Sequence, residues 1–255
     1  MNTTNVIVEK ENSVAILYLN RINSANALSS EFRKEILQVL ALLEKNDVVK
    51  VVIITGKSKF FCAGFDLNEF LSVDSISAPD LIKSADDLFD KLIFYKKPII
   101  AAINGPALAG GMDLAAVCDI RIASEEAIFG GPEIKFIPAL YWPYDRILGA
   151  GRARELILTG KIIPAKEALE IGLINKITAP ETLIDEAKKM AKMIAEAPLS
   201  VLQLEKKVIA EVQGKNLADI VNIENDVFHE MILKEKNLHE LKKSLQEYRK
   251  RLKKI

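Results

Sequence analysis

Three features of this 255-residue sequence predict an α/β fold around a mostly parallel sheet. Short, wholly apolar runs such as Val51-Val52-Ile53-Ile54-Thr55 and Ile99-Ile100-Ala101-Ala102-Ile103 read as strands buried on both faces. Each run stops at a glycine-containing loop. Helical periodicity follows each loop, so strand–loop–helix units recur without clear sequence repetition.

Taken in order, Val6–Lys10 and Val14–Leu19 flank Glu11-Asn12-Ser13 and predict a hairpin. A polar loop covers 20–27. Ser29 or Ser30 then caps a helix with Phe32, Ile36, Val39, Leu40 and Leu43 on one face. The strand 51–55 ends at Gly56, and a loop runs from Phe60 to Asp66. Pro79–Tyr95 reads as helix, and the strand 99–103 is closed by Asn104-Gly105-Pro106. Ala109-Gly110-Gly111 opens another helical pattern, and strands follow at 119–123 and 127–129. Beyond Ala153 the pattern is helical, at 153–158, 165–171 and 183–196, with Pro198 at the start of the next helix.

Composition excludes several classes of function. Thirty-five Lys plus Arg balance thirty-five Asp plus Glu, so no global nucleic-acid footprint is expected. Residues 49% apolar over this length can bury a large core without staples. Cys62 and Cys118 are too few for a disulfide framework and read as buried free thiols in a reducing compartment. No cationic segment followed by an apolar run opens the chain, and the most apolar stretch, 98–108, is too short to span a bilayer. A cytoplasmic protein with no membrane contact is expected. The two histidines, His229 and His239, lie in a charged helical region, and no Gly-x-Ser-x-Gly elbow or zinc spacing occurs. Gly160-Lys161 is followed by Ile162, so no phosphate-binding Walker loop is present. Any chemistry falls to carboxylates and backbone dipoles, with no metal.

Those dipoles have two natural places. Phe60–Leu67 and Asn104–Leu114 each follow a buried strand, where ligand crevices form in open α/β sheets. Glycine permits close backbone approach, and Gly110-Gly111 would open a helix with free N–H groups. One amide from each loop would make a two-donor oxyanion hole. The same loops also read as tight turns with no ligand.

Four segments resemble the enoyl-CoA hydratase/isomerase (crotonase) family in order and spacing. They are Phe61-Cys62-Ala63-Gly64-Phe65-Asp66-Leu67, Ala101–Ala115 with Cys118-Asp119-Ile120-Arg121, Phe129-Gly130-Gly131-Pro132-Glu133-Ile134, and Leu158-Thr159-Gly160 through Ile174. The resemblance implies a core spiral of ββα units over residues 1–195, a C-terminal helical trimerisation region over 196–255, and a homotrimer or a hexamer of two trimers. It implies an acyl-CoA thioester as substrate, with coenzyme A as part of that substrate and no separate cofactor. The thioester carbonyl would sit between the amides of Phe65 and Gly110. The carbonyls of Ala63 and Leu67 would hold the adenine ring. Glu133 and Asp113 match the two family glutamates that hold water and move protons.

Two departures bear on the reaction. Asp113 is one methylene shorter than the usual glutamate. The segment after Glu133 is bulky rather than glycine-rich, with Tyr141, Trp142 and Tyr144 read as packing, a subunit contact or a wall of the acyl pocket. Addition of water to a 2-enoyl-CoA is the leading expectation. The alternatives are a double-bond isomerase with Glu133 as single base, another CoA-thioester reaction, and a CoA- or RNA-binding relative without turnover. Asp66 and Asp119 read as structural. Lys57, Lys59 and the C-terminal lysines are candidate counter-charges for phosphate. The apolar stripe Leu238, Leu241, Leu245, Tyr248, Leu252, Ile255 reads as a docked C-terminal helix with a solvated cationic face.

Overall fold

A computed structural model describes residue 3 and residues 5–252, the side chains of 251 and 252 excepted. Strands β1 (Val6–Glu11) and β2 (Val14–Leu19) form the expected antiparallel hairpin. Helix α1 (Ser30–Glu44) is capped by Ser29, whose side chain accepts from the Phe32 amide. Then come β3 (Val51–Gly56), α2 (Leu67–Ser72), α3 (Ala78–Ile93), β4 (Ile99–Ile103), β5 (Ala107–Leu108) and α4 (Gly110–Ala116). Strands β6 (Ile120–Ser124) and β7 (Ile128–Gly130) precede α5 (Tyr144–Leu148), α6 (Ala150–Thr159) and β8 (Ile162–Pro164). Last come α7 (Ala165–Glu170), β9 (Lys176–Thr178) and the helices α8 (Leu183–Ile194), α9 (Leu199–Glu211), α10 (Leu217–Leu233) and α11 (Glu235–Leu252).

The main sheet has the order β1-β2-β3-β4-β6-β9 and is parallel from β2 onward. A second sheet, β5-β7-β8, collects three short strands. Two of them, β5 and β8, had no strand signal, because two or three residues carry no usable periodicity.

Strand side chains alternate between faces, which explains why β3 and β4 are apolar throughout. Val52, Ile54, Ala101 and Ile103 join the larger core with α1 and α3. Val51, Ile53, Ile100 and Ala102 face the other way, onto Leu183, Ala187 and Ala191 of α8. The small alanines let α8 lie close against the sheet.

Buried cations join elements at the start of the strands. Lys97 Nζ donates to the carbonyls of Leu43 and Asn46, both at 2.8 Å, satisfying the C-terminal end of α1. Asp119 accepts from the Ile99 amide at 2.7 Å and from Lys206 Nζ at 2.6 Å, tying α9 to the sheet. Asp119 is therefore structural, as expected. Lys50 reaches the carbonyls of Ala195 and Ala197.

The C-terminal helix corrects one expectation. Leu238 and Leu241 are half-buried, but Leu245 is 50% and Tyr248 59% exposed. Within one chain the stripe docks only over its first turns. The side chain of Leu252 and all of Ile255 lie outside the described residues. Among the described residues, no helix is long and apolar enough to cross a membrane.

Candidate active site

The two glycine loops meet at the carboxyl ends of β3 and β4. Asn104 pins them: its Oδ1 accepts from the Gly56 amide at 2.9 Å and its Nδ2 donates to the Ser58 carbonyl at 2.8 Å. The Cys62 amide donates to the Pro106 carbonyl at 3.1 Å, and the Leu108 amide donates back to Cys62 at 3.0 Å. The loops are thus zipped by a short parallel bridge. Gly111 seals the junction, since a Cβ there would lie 2.1 Å from the Cys62 carbonyl oxygen.

Asn26 supports this junction from below. It is fully buried, and its Nδ2 donates to the carbonyls of Phe60 and Phe61 at 2.9 and 3.1 Å. Sequence reading placed it in an undifferentiated polar loop. Its partners are 34 and 35 residues away, and no local pattern announces such a bond.

Phe65 and Gly110 are neighbours across the zipped loops. A Cβ on Gly110 would lie 2.9 Å from the Phe65 ring and 3.6 Å from Gly64 Cα. Among the described residues, neither the Phe65 N–H nor the Gly110 N–H has an acceptor. Ala109, just before Gly110, has φ 50° and ψ −130°, a conformation that costs an L-residue about 1–3 kcal/mol. The strained turn is held by the Ala109 amide, which donates to the Gly130 carbonyl at 2.8 Å. Ala63 is held through its amide to Ala25 at 3.0 Å, and Leu67 opens α2 with 60% exposure. Asp66 caps α2 and pairs with Arg21 at 2.6 Å, a structural role as expected. Lys57 Nζ stands 3.7 Å over the Tyr18 ring.

The two candidate acids sit beside these loops. Asp113 lies on α4 and is 7% exposed. Burial pushes its carboxyl up to about 7; the Tyr144 hydrogen bond opposes that, and the Glu133 charge adds to it. Tyr144 is fully buried and donates its hydroxyl to Asp113 Oδ1 at 2.6 Å. Glu133 sits on the turn 132–135 that follows β7. Burial raises its carboxyl above the ordinary range, and its Oε2 is buried without a hydrogen-bond partner among the described residues. Enclosing a carboxylate oxygen without a donor is costly.

The bulky segment after Glu133 divides. Tyr144 turns inward onto Asp113, whereas Tyr141 and Trp142 are each 37% exposed. Cys62 and Cys118 are buried free thiols, both pushed up to about 12 by burial. A separate cleft of about 590 Å³ lies among α9, α10 and α11, lined by Lys206, Lys207, Lys234 and others, and contains neither acid.

Two free amides beside one buried and one half-buried carboxylate suit an acyl transfer or enolate-forming reaction. Residues 9–254 match the family model described as enoyl-CoA hydratase/isomerase. The chain belongs to that family. It is 38% identical over 236 residues to a short-chain-enoyl-CoA hydratase of Clostridium acetobutylicum, covering 90% of each chain. It is 35% identical over 229 residues to a crotonyl-CoA hydratase of Syntrophomonas wolfei, covering 88% of each. Its fold matches the crystal structure of an enoyl-CoA hydratase from Bacillus anthracis at TM-score 0.89 and 31% identity, over 96% of this chain and 97% of that one. The crotonase-type α/β architecture read from the sequence is thus the architecture of the enoyl-CoA hydratase/isomerase family.

Proposed function

We propose that this chain hydrates 2-enoyl-CoA thioesters. The observation that carries the reading is the placing of buried Asp113 and half-buried Glu133 beside two main-chain N–H groups without acceptors. The thioester carbonyl sits between the Phe65 and Gly110 amides. As water adds at the β-carbon, the carbonyl gains enolate charge, and the two donors stabilise it; each such donor is worth about 2.7–4 kcal/mol. Two carboxylates in one buried site separate in proton affinity, so one accepts the water's proton while the other completes transfer at the α-carbon. Glu133, with its unpaired oxygen, is the main proton-transfer group.

Coenzyme A enters as part of the substrate, its adenine ring held by the carbonyls of Ala63 and Leu67. No metal or other cofactor takes part. The subunits assemble as a homotrimer or a dimer of trimers through residues 196–255. The exposed apolar side chains Phe228, Leu233, Leu245 and Tyr248 support that assembly. Two buried free thiols support a reducing, cytoplasmic setting.

Purified protein with crotonyl-CoA tests the reading: the absorbance of the conjugated thioester should fall. Glu133→Gln should lower the rate at least about 100-fold with folding intact. The unpaired oxygen of Glu133 also fits a second reading, in which Glu133 is the single base. In that case the protein is a double-bond isomerase: crotonyl-CoA is inert and a 3-enoyl-CoA gains absorbance.

A further inference from the structure

Nothing in the sequence signalled what Tyr144 does. It opens α5, and its ring has no exposed surface. A phenylalanine would fill the same volume, so packing does not require the hydroxyl. A buried hydroxyl without an acceptor is destabilising, and the acceptor here is Asp113 Oδ1 at 2.6 Å, within the range of short O–H···O⁻ bonds. The bond joins α5 to α4 across 31 residues of sequence.

We propose that Tyr144 is a positioning residue for the hydration chemistry: its hydroxyl holds Asp113 by one oxygen and turns the other toward the reacting water. This rests on the hydratase reading. The aspartate side chain is short, so its reach depends on a fixed rotamer. Among the described residues Asp113 Oδ2 accepts no hydrogen bond. It is also absent from the fully enclosed unpaired atoms, so it is the oxygen that can meet a water.

Charged and titratable groups around the pair come from several elements. Glu133, on the turn after β7, acts on both Asp113 and Tyr144 and makes each harder to ionise. Arg121 on β6 acts on Tyr144 in the opposite sense. Cys62, in the first glycine loop, feels the Asp113 charge. Burial and the two carboxylates hold the Tyr144 hydroxyl well above its ordinary value, so it remains a donor throughout the working range. A permanent donor favours the ionised form of Asp113. Without it, burial and Glu133 would drive Asp113 further toward the protonated acid, which cannot accept a proton from water.

Tyr144→Phe tests this directly. With crotonyl-CoA, kcat should fall about tenfold or more while KM changes less than about twofold, the pattern of a lost transition-state interaction. The acid limb of the kcat/KM profile should move up by about one pH unit, because a hydrogen bond to the charged form is lost. In an Asp113→Asn background the same change should cost less than about twofold, since the partner is already altered. If Tyr144→Phe fails to fold, 3-fluorotyrosine in place of Tyr144, a stronger donor of nearly the same size, should move the limb down instead. Infrared difference titration of the Asp113 carboxyl reads the same shift without turnover. An enzyme inert toward enoyl-CoA removes the hydratase reading. An unmoved Asp113 titration, or an equal loss in the Asp113→Asn background, overturns the role of Tyr144.

Discussion

Asp113 should make the fold weaker at neutral pH, and Asp113→Asn should therefore stabilise it. The carboxyl is 7% exposed and moves from an ordinary 3.8 to about 7. Holding it ionised above that value costs about 4 kcal/mol relative to the unfolded chain, at roughly 1.36 kcal/mol per pH unit. Relaxation and solvent entry reduce this, so a gain of about 2 kcal/mol is expected for the neutral amide. The sign follows from proton binding. Between the two values the folded chain binds the proton more tightly than the unfolded chain. Stability therefore falls as pH rises from about 4 to about 7. Asparagine keeps an oxygen for the Tyr144 hydroxyl, so the buried donor stays satisfied. The assay is thermal unfolding at pH 5 and pH 8 at one subunit concentration, because assembly makes the midpoint concentration-dependent. At pH 8 the midpoint should rise by about 4–8 °C for a chain of this size. At pH 5 the gain should be smaller, because most of the folded carboxyl is already neutral there. An equal gain at both pH values, or none at pH 8, would refute the claim that a buried charge is held there. Hydration activity should fall in the same variant, so the site trades stability for chemistry.

Gly111→Ala should destabilise the fold by several kcal/mol, since its Cβ would lie 2.1 Å from the Cys62 carbonyl oxygen and backbone must move. A melting curve within a degree of wild type would show that the loop junction is looser than described. Lys206→Met should cost about 1–3 kcal/mol by leaving half-buried Asp119 with only the Ile99 amide. Limited proteolysis should then cut the chain near α9 faster, and unchanged cutting would separate that ion pair from helix docking.

Where backbone pattern dominates, this chain was legible. Apolar runs at 51–55 and 99–103 became β3 and β4 because strands buried on both faces must be apolar on both. Ser29 became the cap of α1, and the glycine loops fell at strand ends, because local sterics and hydrogen bonding set both. Asp113 and Glu133 were singled out by the resemblance of their segments to the family. Their company was not. Asn26 beneath the loops, Arg21 on Asp66 and Tyr144 on Asp113 join residues 31 to 45 positions apart. Such bonds depend on how helices and loops cross in space, and no periodicity encodes a crossing. The stripe on α11 shows the same limit from the other side. Its spacing identifies an apolar face, but only the packed chain decides that Leu238 is half covered and Tyr248 lies 59% open. Sequence alone therefore determined the long strands and helices and the residue types available for proton transfer. Tertiary structure decided which acid is tied and which is left unpaired, because burial and hydrogen-bond partners arise only when distant segments are brought together.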